Sequence, residues 1–145
     1  MLTQAQHDFL QNAYTAAKIA NHPWPDAAAC EAALETGWGQ HIPGNNLLGI
    51  KPPSWWQGGV EVLGTQEFHD GAMQPQQAAF AGFESWAECF RCQVAIFHRN
   101  PSYSRALAAQ DAPTYIVEES KAWATDPARG ANVLQIWNNH HKELI

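Results

Sequence analysis

The stretch Glu31-Ala32-Ala33-Leu34-Glu35-Thr36-Gly37-Trp38-Gly39 reads as the last turns of an Ala-rich helix that stops at Gly37. A carboxylate at the C-terminal end of an apolar helix lies where the helix dipole disfavours its charge, and burial there raises its pKa as well. Both effects push Glu35 toward a protonated acid near neutral pH, which is the property required of a group that protonates a glycosidic oxygen. Glu31 stands one turn earlier on the same face, where an ionised neighbour raises Glu35 further. Spacing alone favours a solvated glutamate in a last turn.

Working outward, Asp26 is expected to cap this helix over residues 27–36. Before it, Thr3 and Gln6 form a capping box for an amphipathic helix over residues 4–20, with Leu10, Ala13, Ala17 and Ala20 on one stripe. After it, residues 37–59 carry Gly, Pro and Asn at turn-forming density and read as a long structured loop holding His41, Asn45, Asn46 and Lys51. Residues 60–69 alternate, with Val60, Val62 and Phe68 on one face and Glu61, Thr65, Glu67 and His69 on the other. Asp70-Gly71 is a hairpin turn, so a return strand should end near residues 80–83. Ser85 caps a further helix striped by Trp86, Phe90, Val94 and Phe97, which Asn100-Pro101 stops. Short helices follow around residues 103–109 and 113–123, and Asp126-Pro127 is expected to open a last helix to about residue 141. No repeat, linker or low-complexity segment interrupts this order, so residues 1–145 are expected to form one domain.

The net charge is −6, and only 8 of the 145 residues are Lys or Arg, which disfavours a nucleic-acid partner. No apolar run approaches the ~18 residues of a membrane span, so no membrane insertion is expected. The start, Met1-Leu2-Thr3-Gln4, lacks a basic region followed by an apolar stretch, so no secretory signal is expected. The 3 cysteines cannot all pair, which favours reduced thiols. Cys89-x-x-Cys92 with His140-His141 superficially suggests zinc; Cys89 falls on the apolar helix face and adjacent histidines rarely share one ion, so neither metal nor cofactor is expected. Trp55 and Trp56, two of 7 tryptophans, are expected to stack on sugar rings, the alternative being that one closes the loop onto the core. Asn46 is expected to contact a substrate through its amide, whereas Asn45 fits an Asx turn better.

Four stretches share an order and spacing: residues 33–39, Asn45-Asn46-Leu47-Leu48-Gly49-Ile50-Lys51, Thr65-Gln66-Glu67-Phe68 and Trp123-Ala124-Thr125-Asp126-Pro127. Together they resemble the glucosaminidase domain of bacterial peptidoglycan hydrolases, glycoside hydrolase family 73, from about residue 3 to the C-terminus. The resemblance implies an α+β, mainly helical, lysozyme-like fold with a small β-hairpin lobe beside the groove. It implies cleavage of the β-1,4 bond between N-acetylglucosamine and N-acetylmuramic acid, with Glu35 as general acid and Glu67 as the hairpin carboxylate. Thr65 and Trp123, from the same motifs, join the expected substrate contacts. Peptidoglycan glycan strands are the implied partner of a monomer working at the cell wall, released by phage-type lysis or a dedicated secretion system.

The chain departs from the family pattern at Leu48 (often Phe), Ala81 and Phe83 (often Arg and Tyr), Trp123 (often Tyr) and Glu31 (commonly Gln). An indole at position 123 offers a stacking face and one N–H where the family has a hydroxyl. A lytic transglycosylase or muramidase on the same glycan, and a non-catalytic wall-binding module, stand as alternatives. So do two routes for the second half of a hydrolysis: Glu67 as base for water, with inversion, or attack by the substrate's own acetamido group, with net retention.

Overall fold

Thr3 opens α1 (Gln4–Ile19) with the predicted capping box, both reciprocal bonds being present, and Phe9, Leu10, Ala13 and Ala17 form its buried stripe. The protein is described by a computed structural model covering residues 1–145, the side chain of Thr65 excepted. The second helix, α2 (Pro25–Thr36), starts earlier than expected. Trp24 is its N-cap and Pro25 its first residue, a position suited to proline because the missing N–H would have no helical partner. Asp26 therefore lies in the first turn, where its carboxylate accepts from Ala27 N (2.9 Å) and from Trp137 Nε1 (2.8 Å). Gly37 ends the helix at φ +60°, as its sequence predicts.

A two-stranded antiparallel hairpin follows the long loop: β1 (Gly59–His69) and β2 (Ala72–Gly82), closed by Asp70 and Gly71, both at positive φ. Two consecutive left-handed residues match the strand twist, which is why an Asp-Gly pair fixes this register. The alternation promised one buried face; instead Val60 and Val62 are 53% and 67% exposed, because the hairpin stands beside the helical body and most of β2 is exposed too. Then come α3 (Trp86–Arg99), capped by Ser85, α4 (Ser104–Leu107), α5 (Ala112–Trp123) and α6 (Arg129–His140). The last helix begins after the predicted cap. Asp126 Oδ1 accepts from Ala128 N at 2.9 Å in the preceding turn, and Ala128 is the N-cap.

Helix α2 runs through the middle, packed by α1, α5 and α6. Its segment 27–33 is buried on every side, and alanine is the residue that lets helix backbones approach so closely without loss of helix propensity. The fold is α+β and mainly helical, with the hairpin as a separate lobe.

Asn46 holds the two parts together, its amide being committed to backbone groups, and it also borders a small recess beside Glu35. It is 4% exposed; its Nδ2 donates to Ile50 O and Ala81 O, both at 2.9 Å, and its Oδ1 accepts from Leu48 N (3.2 Å) and Ile50 N (3.0 Å). Asn45 Nδ2 donates to Phe83 O at 3.1 Å, so it too fastens the hairpin base instead of closing an Asx turn. Asn46→Ala leaves buried backbone groups without partners and should lower stability by about 2–4 kcal/mol, read as a drop in the denaturant midpoint with unchanged slope.

Candidate active site

The C-terminal end of α2, the 46–51 loop, the hairpin and the α5–α6 turn enclose a cleft of ≈ 470 Å³. Glu35, Glu67 and Trp123, all expected at the site, line it together with Lys51, Thr125 and Arg129. Glu35 also borders a second recess of ≈ 140 Å³ shared with His41 and Gly49, so its carboxyl stands between two spaces. The side chain keeps 25% exposure, and Oε1 accepts from Arg129 Nε at 3.0 Å. The other oxygen, Oε2, lies against Gly49: a Cβ there would stand 3.3 Å from it, and φ is +66°. Glycine at 49 thus serves both the turn and the approach of the carboxyl. Burial is the main cause that pushes the Glu35 pKa up; Arg129 opposes it, and Glu31 and Glu67 add to it.

Sequence reasoning missed Arg129, which is 2% exposed in the first turn of α6. Besides Glu35 it donates through Nη1 to Glu119 Oε1 (2.5 Å) and Ser120 Oγ (2.9 Å), and through Nη2 to Glu31 Oε2 (3.3 Å). One signal was available: a cation in a helix's first turn stands at the wrong end of the dipole, so its partners must lie elsewhere. Burial, reinforced by Glu31, pushes Glu119 well above the usual carboxylate range against the pull of Arg129.

Glu67 reaches the cleft from β1 and pairs with Lys51 Nζ at 3.0 Å. Across the cleft, Thr125 Oγ1 accepts from Phe68 N (3.1 Å) and approaches Glu67 Oε2 (3.5 Å), joining the hairpin to the α5–α6 turn. Trp123 donates its indole N–H to Leu48 O at 3.1 Å, so it presents a ring surface and no free donor to the cleft. Tyr103 lines the same wall, and burial pushes its phenol up to about 12.

Trp55 and Trp56, expected to stack on sugar rings, lie outside the lining of this cleft. A turn with Trp56 N donating to Pro53 O (2.9 Å) folds the loop back on the hairpin base. There Arg99 covers the Trp55 ring at 4.3 Å, while Trp56 packs edge-on against Phe83 at 5.0 Å and donates to Gly59 O at 2.9 Å. Thr65, the remaining expected contact, has its side chain outside the described residues. Cys89 and Cys92 sit on the buried face of α3, where burial pushes both thiols up, Cys92 to about 11. His140 pairs with Glu143 (2.8 Å) and His141 stacks on Trp137 (3.7 Å); among the described residues no three metal-ligating side chains are grouped.

The profile of one protein family, described as "Glucosaminidase: Mannosyl-glycoprotein endo-beta-N-acetylglucosaminidase", matches residues 10–142. The chain is 36% identical over 120 residues to the "Peptidoglycan hydrolase FlgJ" of Vibrio parahaemolyticus, covering 77% of this chain and 39% of that one. The FlgJ of Salmonella typhimurium is 33% identical over 105 residues, 67% of this chain and 33% of that one. The chain thus spans well under half the length of these curated relatives. Among solved structures, the truncated glycoside hydrolase domain of Salmonella typhimurium FlgJ superposes with TM-score 0.72 at 28% identity, covering 92% of this chain and 96% of that one. A mutant peptidoglycan hydrolase from Sphingomonas sp. A1 shares the fold with TM-score 0.84 at 23% identity, over 94% of this chain and 96% of that one.

Proposed function

The chain belongs to the glucosaminidase family, and on that premise we propose that it hydrolyses peptidoglycan glycan strands as an endo-β-N-acetylglucosaminidase, a single-domain monomer acting at the bacterial cell wall. The observation that carries this reading is Glu35: a carboxyl raised by burial, one oxygen held by Arg129, the other free beside Gly49 at the junction of two spaces. That is the geometry of a proton donor to a glycosidic oxygen lying across the junction. The proton passes to the bridging oxygen as the bond from C1 of N-acetylglucosamine breaks, and the muramic acid residue leaves with a free 4-hydroxyl.

Water then adds at C1. Glu67, on the hairpin side of the cleft, takes the proton from that water if it attacks directly. If the acetamido oxygen closes on C1 first, Glu67 acts on the water that opens the ring. The Lys51 pair that holds Glu67 is half exposed at the ammonium, a tether worth at most about 1 kcal/mol that substrate can displace. Trp123 supports the sugar by its ring surface alone, since its N–H is committed to Leu48. Among the described residues no helix is long and apolar enough to cross a membrane.

Digestion of purified peptidoglycan, followed by borohydride reduction and mass spectrometry, tests the reading. New N-acetylglucosaminitol ends support it; N-acetylmuramitol ends would make the protein a muramidase, and anhydromuramyl ends a lytic transglycosylase. Glu67→Gln should lower turnover about 10²-fold with little change in wall binding, whereas Glu61→Gln, on the same strand but outside the cleft, should leave turnover within a factor of two. Equal small effects from both would return Glu67 to the status of a surface carboxylate.

A further inference from the structure

Glu35, Gly49 and Phe80 border both the cleft and the ≈ 140 Å³ recess, so the two spaces meet at the acid. One face of the hairpin serves both. Glu67 borders the cleft, and Leu63, four residues and about 13 Å back along the same strand face, borders the recess, which leaves room for a sugar on either side of the bond. Phe80 is the cross-strand partner of Glu61 and so lies diagonal to Leu63 on that face. Pro43 and His41 complete the wall. A tight turn folded onto the end of α2 carries His41 there: its N donates to Thr36 O at 3.1 Å, and Gly39 N donates to Thr36 Oγ1 at 2.8 Å.

The place of Glu67 orients the substrate. Both routes for water need Glu67 near C1 of the N-acetylglucosamine, so that sugar and its acetamido group occupy the cleft, and the sugar that leaves with O4 extends to the recess side of Glu35. O4 of the leaving sugar is flanked by the substituents on C3 and C5. In N-acetylmuramic acid the C3 substituent is a lactyl ether, which brings a methyl and a carbonyl; in N-acetylglucosamine it is a bare hydroxyl. The recess offers Leu63, Phe80 and Pro43 to a methyl. Of its polar side chains, Asn46 is committed to backbone groups and Glu35 protonates the bond, which leaves His41 for a carbonyl. An imidazole has an N–H to donate in either charge state.

We propose that this recess is a lactyl pocket: Leu63 and Phe80 pack on the lactyl methyl, His41 donates to the lactyl carbonyl, and together they select N-acetylmuramic acid over N-acetylglucosamine on the leaving side of the bond. The proposal rests on the function proposed above, in that N-acetylglucosamine is the sugar cut at C1. A leaving N-acetylglucosamine would leave the apolar wall uncovered and His41 without its acceptor.

The test compares kcat/KM on soluble glycan strands that keep their stem peptides with kcat/KM on chitin oligosaccharides, which present N-acetylglucosamine at the same place. The wild type should prefer the former about 10- to 200-fold, the range that one small apolar group in a fitted pocket provides. Leu63→Phe fills the recess and His41→Ala removes the donor, and each should shrink that preference at least about threefold. A wild type that cuts both glycans alike, or a His41→Ala protein that keeps the preference in full, overturns the proposal; His41 is exposed, so this variant should fold even if Leu63→Phe does not. A binding readout stands beside the rates. In ¹H–¹³C spectra N-acetylmuramoyl-L-alanine should shift the Leu63 methyls and the His41 ring while N-acetylglucosamine leaves them in place, and equal shifts from both, or none from either, overturn the pocket. A wild type that yields N-acetylglucosaminitol ends from peptidoglycan without preferring it keeps the glucosaminidase reading and loses the pocket. One that releases no reducing ends loses the glucosaminidase reading, and the shifts then decide the pocket by themselves.

Discussion

Glu35→Gln should abolish release of reducing ends from purified peptidoglycan while the thermal midpoint hardly moves. The amide keeps the volume and the Oε1 acceptor that Arg129 holds, and it removes the proton that the leaving oxygen needs. Loss of a general acid costs about 10²- to 10⁴-fold, and a bond as unreactive as a glycoside puts the loss at the upper end. Reducing-end assays beside a melting curve check it: full activity in a folded Glu35→Gln protein would take Glu35 out of the chemistry altogether.

Arg129→Met should be the most damaging single change to the fold. Methionine fills much of the space but leaves Glu31 and Glu119 buried with no cation, and breaking a buried ion pair from one side costs about 3–5 kcal/mol. That corresponds to a midpoint lower by about 10 °C or more for a domain this size. The cost should depend on pH with a definite sign. Glu35 and Glu119 have folded pKa values raised above their unfolded ones, so the folded state binds protons that the unfolded chain has released. Stability is therefore complete below the ordinary carboxylate range and declines as pH rises through the raised values; without the guanidinium that decline should steepen. Melting curves at pH 5 and pH 8 should differ more in Arg129→Met than in the wild type, and equal losses at both would show that the cluster is held by packing instead of charge.

The parts of the molecule that rest on local chemistry were legible in the chain. The Thr3 capping box, Gly37 as a left-handed stop, Ser85 as a cap and Asp70-Gly71 as a two-residue turn each follow from residues a few positions apart, and each is where its sequence placed it. Glu35 was legible for the same reason, since its helix end and apolar surroundings are written beside it. What stayed hidden depends on which distant surfaces meet. Arg129 answers carboxylates on α2 and α5, so nothing next to it in sequence revealed its partners. Trp55 and Trp56 read as exposed aromatics, yet Arg99 and Phe83 from another part of the chain claim their rings. Asn46 carried the right chemistry for a sugar amide and meets backbone amides of the same kind, which sequence cannot tell apart.

The hairpin is held chiefly by its own strand-to-strand ladder, and it meets the helical body at its base and through Thr125. A lone two-stranded ribbon is marginal in water, and one with exposed valines gives up little apolar contact when it opens. Its opening therefore costs a fraction of what melting the helices costs. Warming should then separate Glu67 from Glu35 while the helices are still formed, so chemistry that needs both carboxyls should be lost at a lower temperature than the fold.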